Sequence, residues 1–172
     1  MRSTEPPLDA ADIAELTHAA AMSLAETEYR RLAALLEGLE PSEWAAATEC
    51  APWDVRDMAG HVVGSMRAAG SPREQLRQVR AAKRRGGAIA DALSALQVEL
   101  LAGYEPEQVS SEMRDRIDAA VKGRRRTPLP IRRLVRISSE LPASGARERW
   151  RIGYFVDVVL TRDTWMHRQD IS

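Results

Sequence analysis

The chain has 172 residues, with 25 basic and 25 acidic side chains, so its formal net charge is zero. This length fits a single domain spanning residues 1–172, and the balanced charge argues against a globally basic nucleic-acid binder. The single cysteine, Cys50, excludes a disulfide framework within the chain and suits a reducing, cytoplasmic setting. The sequence shows no apolar run of membrane-spanning length and no signal-peptide pattern, so we expect no membrane association.

The first part of the chain predicts one long helix. A composition rich in Ala, Leu, Arg and Glu is typical of helical proteins. We expect residues 1–8 to form a flexible lead. A helix capped by Asp9 is then expected to run to about Leu39, because its apolar residues recur at spacings of three and four.

The second helix has a clear start in the sequence. Asp54 lies where an N-cap belongs and Asp57 follows three residues later, which is a variant of the capping box. His61 and Met66 then fall on one face of this helix. We expect the helix to end before Pro72.

The middle and the end of the chain predict further helices. Residues 72–85 are strongly charged and favour an exposed helix, and apolar residues are in phase over 88–102 and 107–121. Residues 122–146 contain three prolines and two glycines, so we expect mostly loop there. A last helix is expected from about Ala146 to the end, and no segment shows the alternation of a strand.

These elements predict an all-α protein. The arrangement that fits them is an antiparallel bundle of four main helices, with helical excursions between the second and the last. Such bundles build metal sites from side chains that project inward from facing helices. Ionisable residues on the apolar faces are therefore candidate ligands.

The last ten residues contain the most informative pattern. Asp163, His167 and Asp170 follow one another at spacings of four and three, so they share one helix face. The same face carries Val156 and Leu160 earlier in the helix. Burying a carboxylate is costly unless it is paired or bound to a metal, and the pattern therefore favours a metal site. The alternative is an exposed ion pair at the end of the helix.

His61 is the natural third ligand, although a histidine on an apolar face can also be an ordinary core residue. Two histidines and one carboxylate, with open positions left over, are typical of a catalytic divalent metal site. Asp170 is predicted to hold the ring N–H of His167 rather than to bind the metal, and Asp57 is predicted to do the same for His61.

Other ionisable residues have weaker signals. Arg162 and Arg168 flank the metal residues and are placed to bind an anionic cofactor or substrate. Cys50 could bind zinc, but a small apolar role is favoured, and His18 is assigned no role. A basic run lacks the aromatic residues that base stacking needs, so a solvated loop is the default, with the alternative that one or two of its arginines reach the pocket and bind an anionic substrate. Its members are Lys122, Arg124, Arg125, Arg126, Arg132, Arg133 and Arg136.

Two motifs resemble those of the mycothiol-dependent maleylpyruvate isomerase family of actinobacteria. The first is Cys50-Ala-Pro-Trp53-Asp-Val-Arg-Asp57-Met-Ala-Gly-His61, and the second is Thr161-Arg-Asp163-Thr-Trp165-Met-His167-Arg-Gln-Asp170-Ile171. The resemblance implies a DinB-like four-helix bundle, the N-terminal metal-binding domain of that family, with His61, Asp163 and His167 holding a divalent metal, usually zinc. The founding isomerase type has Glu at the place of Asp163. Many members carry a further C-terminal domain, which we expect this chain to lack.

A metal with open positions could activate the thiol of a small cofactor to a thiolate nucleophile, and the resemblance implies that this cofactor is mycothiol. The expected activity is then an isomerase or thiol transferase acting on an electrophilic substrate. Metal-activated water for hydrolysis is an alternative chemistry. A non-catalytic metal-binding module, acting as a sensor, a stress protein or a partner in a homodimer, is an alternative function. A helical protein whose basic loop binds nucleic acid is a weaker alternative.

Overall fold

The computed structural model describes residues 16–140 and 147–172. The predicted lead and the Asp9 cap lie outside these residues. Helix α1 (His18–Glu37) begins after Thr17, whose side chain accepts a hydrogen bond from the Ala20 backbone N–H at 3.2 Å. Helix α1 therefore begins later than the single helix that was predicted from Asp9, because Thr17 provides its N-cap.

The next helices agree closely with the sequence pattern. Asp54 caps α2, accepting a hydrogen bond from the Asp57 backbone N–H at 2.8 Å, as predicted. A short 3₁₀ turn before it buries Trp44. The helices are α2 (Val55–Gly70), α3 (Pro72–Arg85), α4 (Ile89–Leu101) and α5 (Pro106–Arg125).

The segment after α5 differs from the prediction of a loop without strands. It contains α6 (Leu129–Leu134) and an antiparallel hairpin of β1 (Arg136–Glu140) and β2 (Arg147–Arg151). The predicted helix start at Ala146 is also wrong, because Arg147–Arg151 is a strand. Alternation detects strands with one apolar face, whereas this hairpin is rich in charged residues.

The last helix is continuous but not uniform. Its parts are α7 (Ile152–Tyr154), a π-helical segment (Phe155–Val159) and α8 (Leu160–Ile171). The π-helical segment rotates the residues after it relative to those before it. The apolar face before the π-helical segment therefore does not continue in line with the face after it.

The helices form the predicted bundle. Helices α1, α2, α5 and the last helix pack together, and α3 and α4 lie against α2 as the helical excursions. The mostly helical four-helix architecture is thus confirmed, with the hairpin as an addition to it. None of the described helices is both long enough and apolar enough to span a membrane.

Helices α2 and α5 cross at very short range. A Cβ atom built on Gly123 would lie 1.9 Å from the carbonyl oxygen of Ala69. Gly123 was expected to begin a loop, but it lies inside α5. The close crossing requires a residue without a side chain at this position. The core beside it is apolar, with Met66 and Met113 fully buried.

Arg124 is buried, although it belongs to the basic run that was expected to be solvated. Its Nε donates to the carbonyl oxygen of Val156 at 3.1 Å, and its Nη1 donates to the Tyr29 hydroxyl at 3.1 Å. Its Nη2 donates to Oγ1 of Thr161 at 2.6 Å. The guanidinium group thus joins α1 and α5 to the π-helical segment.

Candidate metal centre

The three predicted metal ligands come from two helices of the bundle. His61 lies in the second turn of α2, whose start is set by the Asp54 cap. Asp163 and His167 lie one turn apart on α8. Both histidines are buried, with 7% and 8% of their surface exposed. Packing of α2 near α8 therefore brings together residues that are about 100 positions apart in the sequence.

The carboxylate of Asp163 lies between the two imidazoles. Its Oδ2 is 3.4 Å from Nε2 of His61, and its Oδ1 is 3.5 Å from Nε2 of His167. The two imidazole rings meet edge to face, with centroids 5.2 Å apart. One potential ligand atom from each residue lies within 4.8 Å of the other two.

The ligand atoms lie close enough together to suit one shared metal ion. Zinc bonds of about 2.0–2.2 Å in tetrahedral geometry place neighbouring ligand atoms about 3.3–3.6 Å apart. The two separations of 3.4 and 3.5 Å are of this size but belong to different oxygens of Asp163, so an ion held through one oxygen requires a small shift of the carboxylate. The donor set of two imidazoles and one carboxylate also suits zinc and other divalent transition metals. The residues present therefore fit a divalent ion.

The electrostatics of the cluster favour a charged carboxylate. Burial raises the pKa of the Asp163 carboxyl, but hydrogen bonds and charge from His167 and His61 outweigh burial and hold this pKa well below its usual range. Burial lowers the pKa of the His167 imidazole, whereas Asp163 and Asp170 raise it, and the net shift is upward. An ionised carboxylate is the form that a metal ligand requires.

Asp170 lies behind His167, on the side away from Asp163. Its Oδ2 is 3.7 Å from Nδ1 of His167, which is close but beyond hydrogen-bond distance. The same oxygen is 3.7 Å from Sγ of Cys50. Cys50 is only half-buried and adjoins a carboxylate, so its surroundings are not apolar. The pKa of its thiol is raised by burial and by Asp170.

Asp57 does not hold the ring N–H of His61 as predicted. Nδ1 of His61 is buried and has no hydrogen-bond partner among the described residues, so Asp57 makes no such bond to it. The Asp57 side chain lies beside Asp54 at the start of α2, and it lines a small cavity with Leu101 of α4. Burial and the nearby Asp54 raise the pKa of the Asp57 carboxyl.

The two arginines that flank the metal residues are not equivalent. Arg162 is exposed and forms no ion pair within the part of the chain that the structure describes. Arg168 donates from Nε to Oε2 of Glu28 at 3.0 Å. Glu28 is a buried carboxylate of α1 that sequence reasoning missed. Its position on the apolar stripe, three residues after Ala25 and four before Leu32, was the sequence signal that could have indicated its burial.

Trp53 forms a wall of the cluster. Its ring centroid lies 5.2 Å from that of His61 and 6.4 Å from that of His167. Trp53 belongs to the loop that precedes α2, and it reaches the imidazoles of both helices. The first of the two sequence motifs contains this residue, which links the motif to the site.

The fold and the arrangement of the site define the class of this protein as a DinB-like helical domain. The family model described as the mycothiol maleylpyruvate isomerase N-terminal domain matches residues 25–172. The chain therefore belongs to this family.

A solved structure, that of the mycothiol-dependent maleylpyruvate isomerase, has the same fold with a TM-score of 0.61. The two sequences are 12% identical, and the match covers 91% of this chain. It covers 61% of the other chain, so this chain spans less than two thirds of that protein's length. No match is found among curated protein sequences.

Proposed function

We propose that this chain binds a divalent metal, zinc in the first instance, and that it acts as a mycothiol-dependent enzyme of isomerase or thiol-transferase type. The observation that carries the proposal is the position of the Asp163 carboxylate. It lies between the two imidazoles, with Oδ2 at 3.4 Å from Nε2 of His61 and Oδ1 at 3.5 Å from Nε2 of His167. Family membership supports mycothiol as the cofactor.

The cluster favours catalysis over a purely structural metal. The part of the chain that the structure describes offers three ligands to this group, whereas structural zinc sites are closed by four. The Asp163 side chain is 40% exposed, while those of His61 and His167 are about 10% exposed. The open side of the cluster is therefore beside the carboxylate, where a small thiol can approach.

Each nearby residue has a proposed part in this function. His61, Asp163 and His167 hold the metal, and Trp53 excludes water from the side of the imidazoles. A bound zinc ion lowers the pKa of a coordinated thiol, which supplies a thiolate near neutral pH. Asp170 is proposed to orient the ring of His167, which requires a small shift because its Oδ2 lies 3.7 Å from Nδ1 of that ring.

Substrate and cofactor contacts are proposed for the flanking arginines. Arg162 is exposed one position before Asp163, so its guanidinium is free to bind an anionic group. Arg168 uses Nε for Glu28, and it is proposed to act through its remaining donors. Asp57 is proposed to support His61 only through the position of α2. A cytoplasmic location follows from the proposed need for a reduced thiol.

Metal analysis of purified protein tests the first part of the proposal. We expect about one equivalent of zinc in the unsubstituted protein and a large loss in His61→Ala and His167→Ala. His18→Ala is the matched control, because His18 is the one remaining histidine and lies outside the cluster. Failure of the unsubstituted protein to bind zinc or cobalt at saturating concentrations would show that the proposal is wrong.

A second experiment separates an enzyme from a non-catalytic metal-binding module. The cobalt-loaded protein is titrated with mycothiol, and a thiolate-to-cobalt charge-transfer absorption is expected. Turnover of maleylpyruvate, or conjugation of an electrophile such as monobromobimane, is then measured with and without mycothiol. Metal binding without thiol-dependent chemistry would favour the non-catalytic module. The Arg162→Gln variant is expected to retain metal but to have a higher KM.

A further inference from the structure

A second pocket lies away from the metal cluster, between α6, β2 and the start of the last helix. Its volume is about 630 Å³, which is typical of a site for a small molecule. Ionisable side chains dominate its lining: His18, Arg132, Arg133, Arg149, Arg151 and Asp157. Four arginines and one aspartate thus line the pocket.

The single carboxylate of this pocket is already neutralised. Asp157 is buried in the π-helical segment. Its Oδ1 lies 2.7 Å from Nδ1 of His18, and its Oδ2 accepts a hydrogen bond from Arg132. The other nitrogen of His18 faces the carbonyl oxygen of Arg125 at 3.1 Å. Both oxygens of Asp157 are therefore engaged, and this acid does not compensate the remaining arginines.

Three of the arginines are available for a ligand. Arg133 and Arg149 are exposed, and so is Arg151. None of the three forms an ion pair with any residue that the structure describes. In addition, Nε of Arg132 is buried without a hydrogen-bond partner in the described part of the chain. Such a concentration of unpaired guanidinium groups in one concave surface favours an anion, since guanidinium binds carboxylate and phosphate oxygens in a bidentate manner.

The pocket also has an aromatic wall. The rings of Trp150 and Tyr154 meet edge to face, with centroids 5.9 Å apart and an angle of 71°. The indole N–H of Trp150 donates to Glu148 at 2.7 Å, so the polar atom of this ring is satisfied. The exposed side chain of Leu129 adds apolar surface. These groups fit a flat, apolar body attached to the anionic groups.

We infer that this pocket binds a small organic anion that carries a flat apolar body and two or more negative charges as carboxylates or a phosphate. Nucleic acid is a poorer fit. The basic run around this pocket does not form a continuous track, because Arg124 is buried and Arg132 is paired with Asp157. The arginines instead line one open depression of the surface.

The pocket is independent of the proposed metal centre. The two sites share no residue. Asp157 and Asp163 are six residues apart on the last helix, which corresponds to about 9 Å along its axis. The inference therefore does not depend on whether the cluster binds a metal.

Fluorescence and calorimetric titrations test the inference with three probes: benzene-1,3,5-tricarboxylate, phenyl phosphate and inorganic phosphate. The test variant is the double substitution Arg133→Gln and Arg149→Gln. The matched control is Arg73→Gln and Arg80→Gln, which removes two exposed guanidinium groups of α3. At physiological ionic strength we expect saturable binding of at least one of the two aromatic probes, weakened about tenfold or more in the test variant only.

The comparison of probes identifies the chemistry. Preference for the tricarboxylate assigns a carboxylate ligand, and preference for phenyl phosphate assigns a phosphate. Both aromatic probes are expected to exceed inorganic phosphate, and Trp150→Leu is expected to remove this advantage. His61→Ala is expected to bind as the unsubstituted protein does.

Three results would overturn the inference. The first is equal weakening in the test and control variants, which would indicate general electrostatic attraction. The second is loss of binding in His61→Ala, which would place the anion at the other site. The third is binding of a single-stranded oligonucleotide at least tenfold more tightly than every small probe, with loss of this binding in the test variant. That result would define a nucleic-acid interface.

Discussion

The guanidinium group of Arg124 donates to the carbonyl oxygen of Val156, inside the π-helical segment of the last helix. A π turn displaces backbone carbonyls from the regular helical hydrogen-bond pattern, and a buried carbonyl needs a donor. Arg124 supplies this donor from α5. Because α8, which carries Asp163 and His167, follows directly after the π-helical segment, this contact helps to set the orientation of its metal-binding face.

Replacing Arg124 with Gln is expected to destabilise the protein by about 2–4 kcal/mol, because the Val156 carbonyl and the Tyr29 hydroxyl lose buried partners. Urea denaturation measures this loss. The matched control is Arg126→Gln, which makes the same change at an exposed position two residues later. We expect the control to remain within about 0.5 kcal/mol of the unsubstituted protein. Similar losses in the two variants would contradict a structural role for Arg124.

The crossing of α2 and α5 gives a second prediction. Gly123→Ala would place a methyl group at 1.9 Å from the carbonyl oxygen of Ala69, so the two helices must separate. We expect a loss of about 2–4 kcal/mol despite the higher helix propensity of Ala. Gly103→Ala is the control, because a Cβ atom there meets no atom within 4 Å. Chemical denaturation of both variants provides the measurement, and a stable Gly123→Ala protein would be incompatible with this crossing.

Local signals account for what the sequence could predict of the fold. Asp54 caps α2 by accepting a hydrogen bond from the Asp57 backbone N–H, and Pro72 follows the end of the helix, so the boundaries of α2 depend on no distant residue. The hairpin is different. Its strands are rich in charged residues, and its pairing of Ile137 with Trp150 depends on a distant partner.

The candidate site also combines a local pattern that the sequence shows with a contact that depends on packing. The spacing of Asp163 and His167 is visible in the sequence, but the approach of His61 from another helix follows from packing. Three buried or half-buried ionisable residues, His18, Glu28 and Arg124, have partners that the sequence did not reveal. Each is stabilised by a partner more than 30 positions away, and a single sequence does not record such pairs.

An ion pair between α2 and α5 predicts how stability depends on pH. Nε of Arg67 donates to Oε1 of Glu112 at 2.8 Å, and both side chains are less than 20% exposed. Burial raises the pKa of the Glu112 carboxyl, but hydrogen bonds from Arg116 and Arg67 outweigh burial and lower it overall. A carboxyl whose pKa is lower in the folded state than in the unfolded state stabilises the folded protein. This stabilisation is complete above the unfolded pKa of about 4.3, and it is lost as the pH falls through the folded pKa.

Glu112→Gln is therefore expected to cost about 1–2 kcal/mol at pH 6.5. The difference from the unsubstituted protein should shrink at pH 3, because the stabilisation from a lowered carboxyl pKa declines once the pH is below the unfolded value. Urea midpoints at the two pH values measure both differences. Asp115→Asn, an exposed carboxyl on the same helix, serves as the control and should show little difference at either pH. A Glu112→Gln deficit that is equal at both pH values would refute the assignment to this ion pair.

Thermal stability should respond to zinc through the three-residue cluster. A metal that binds only the folded state stabilises it by about 2.7 kcal/mol at a free concentration one hundred times the Kd. For a chain of this length, that corresponds to a rise in Tm of about 5–10 °C. Differential scanning fluorimetry is expected to show this rise in the unsubstituted protein, its reversal by EDTA, and its absence in His61→Ala. His18→Ala loses the contact with Asp157 and should melt at a lower temperature, yet it should keep the full zinc-dependent rise, because His18 belongs to a different site. A zinc-dependent rise of equal size in His61→Ala would mean that the ion binds elsewhere on the chain.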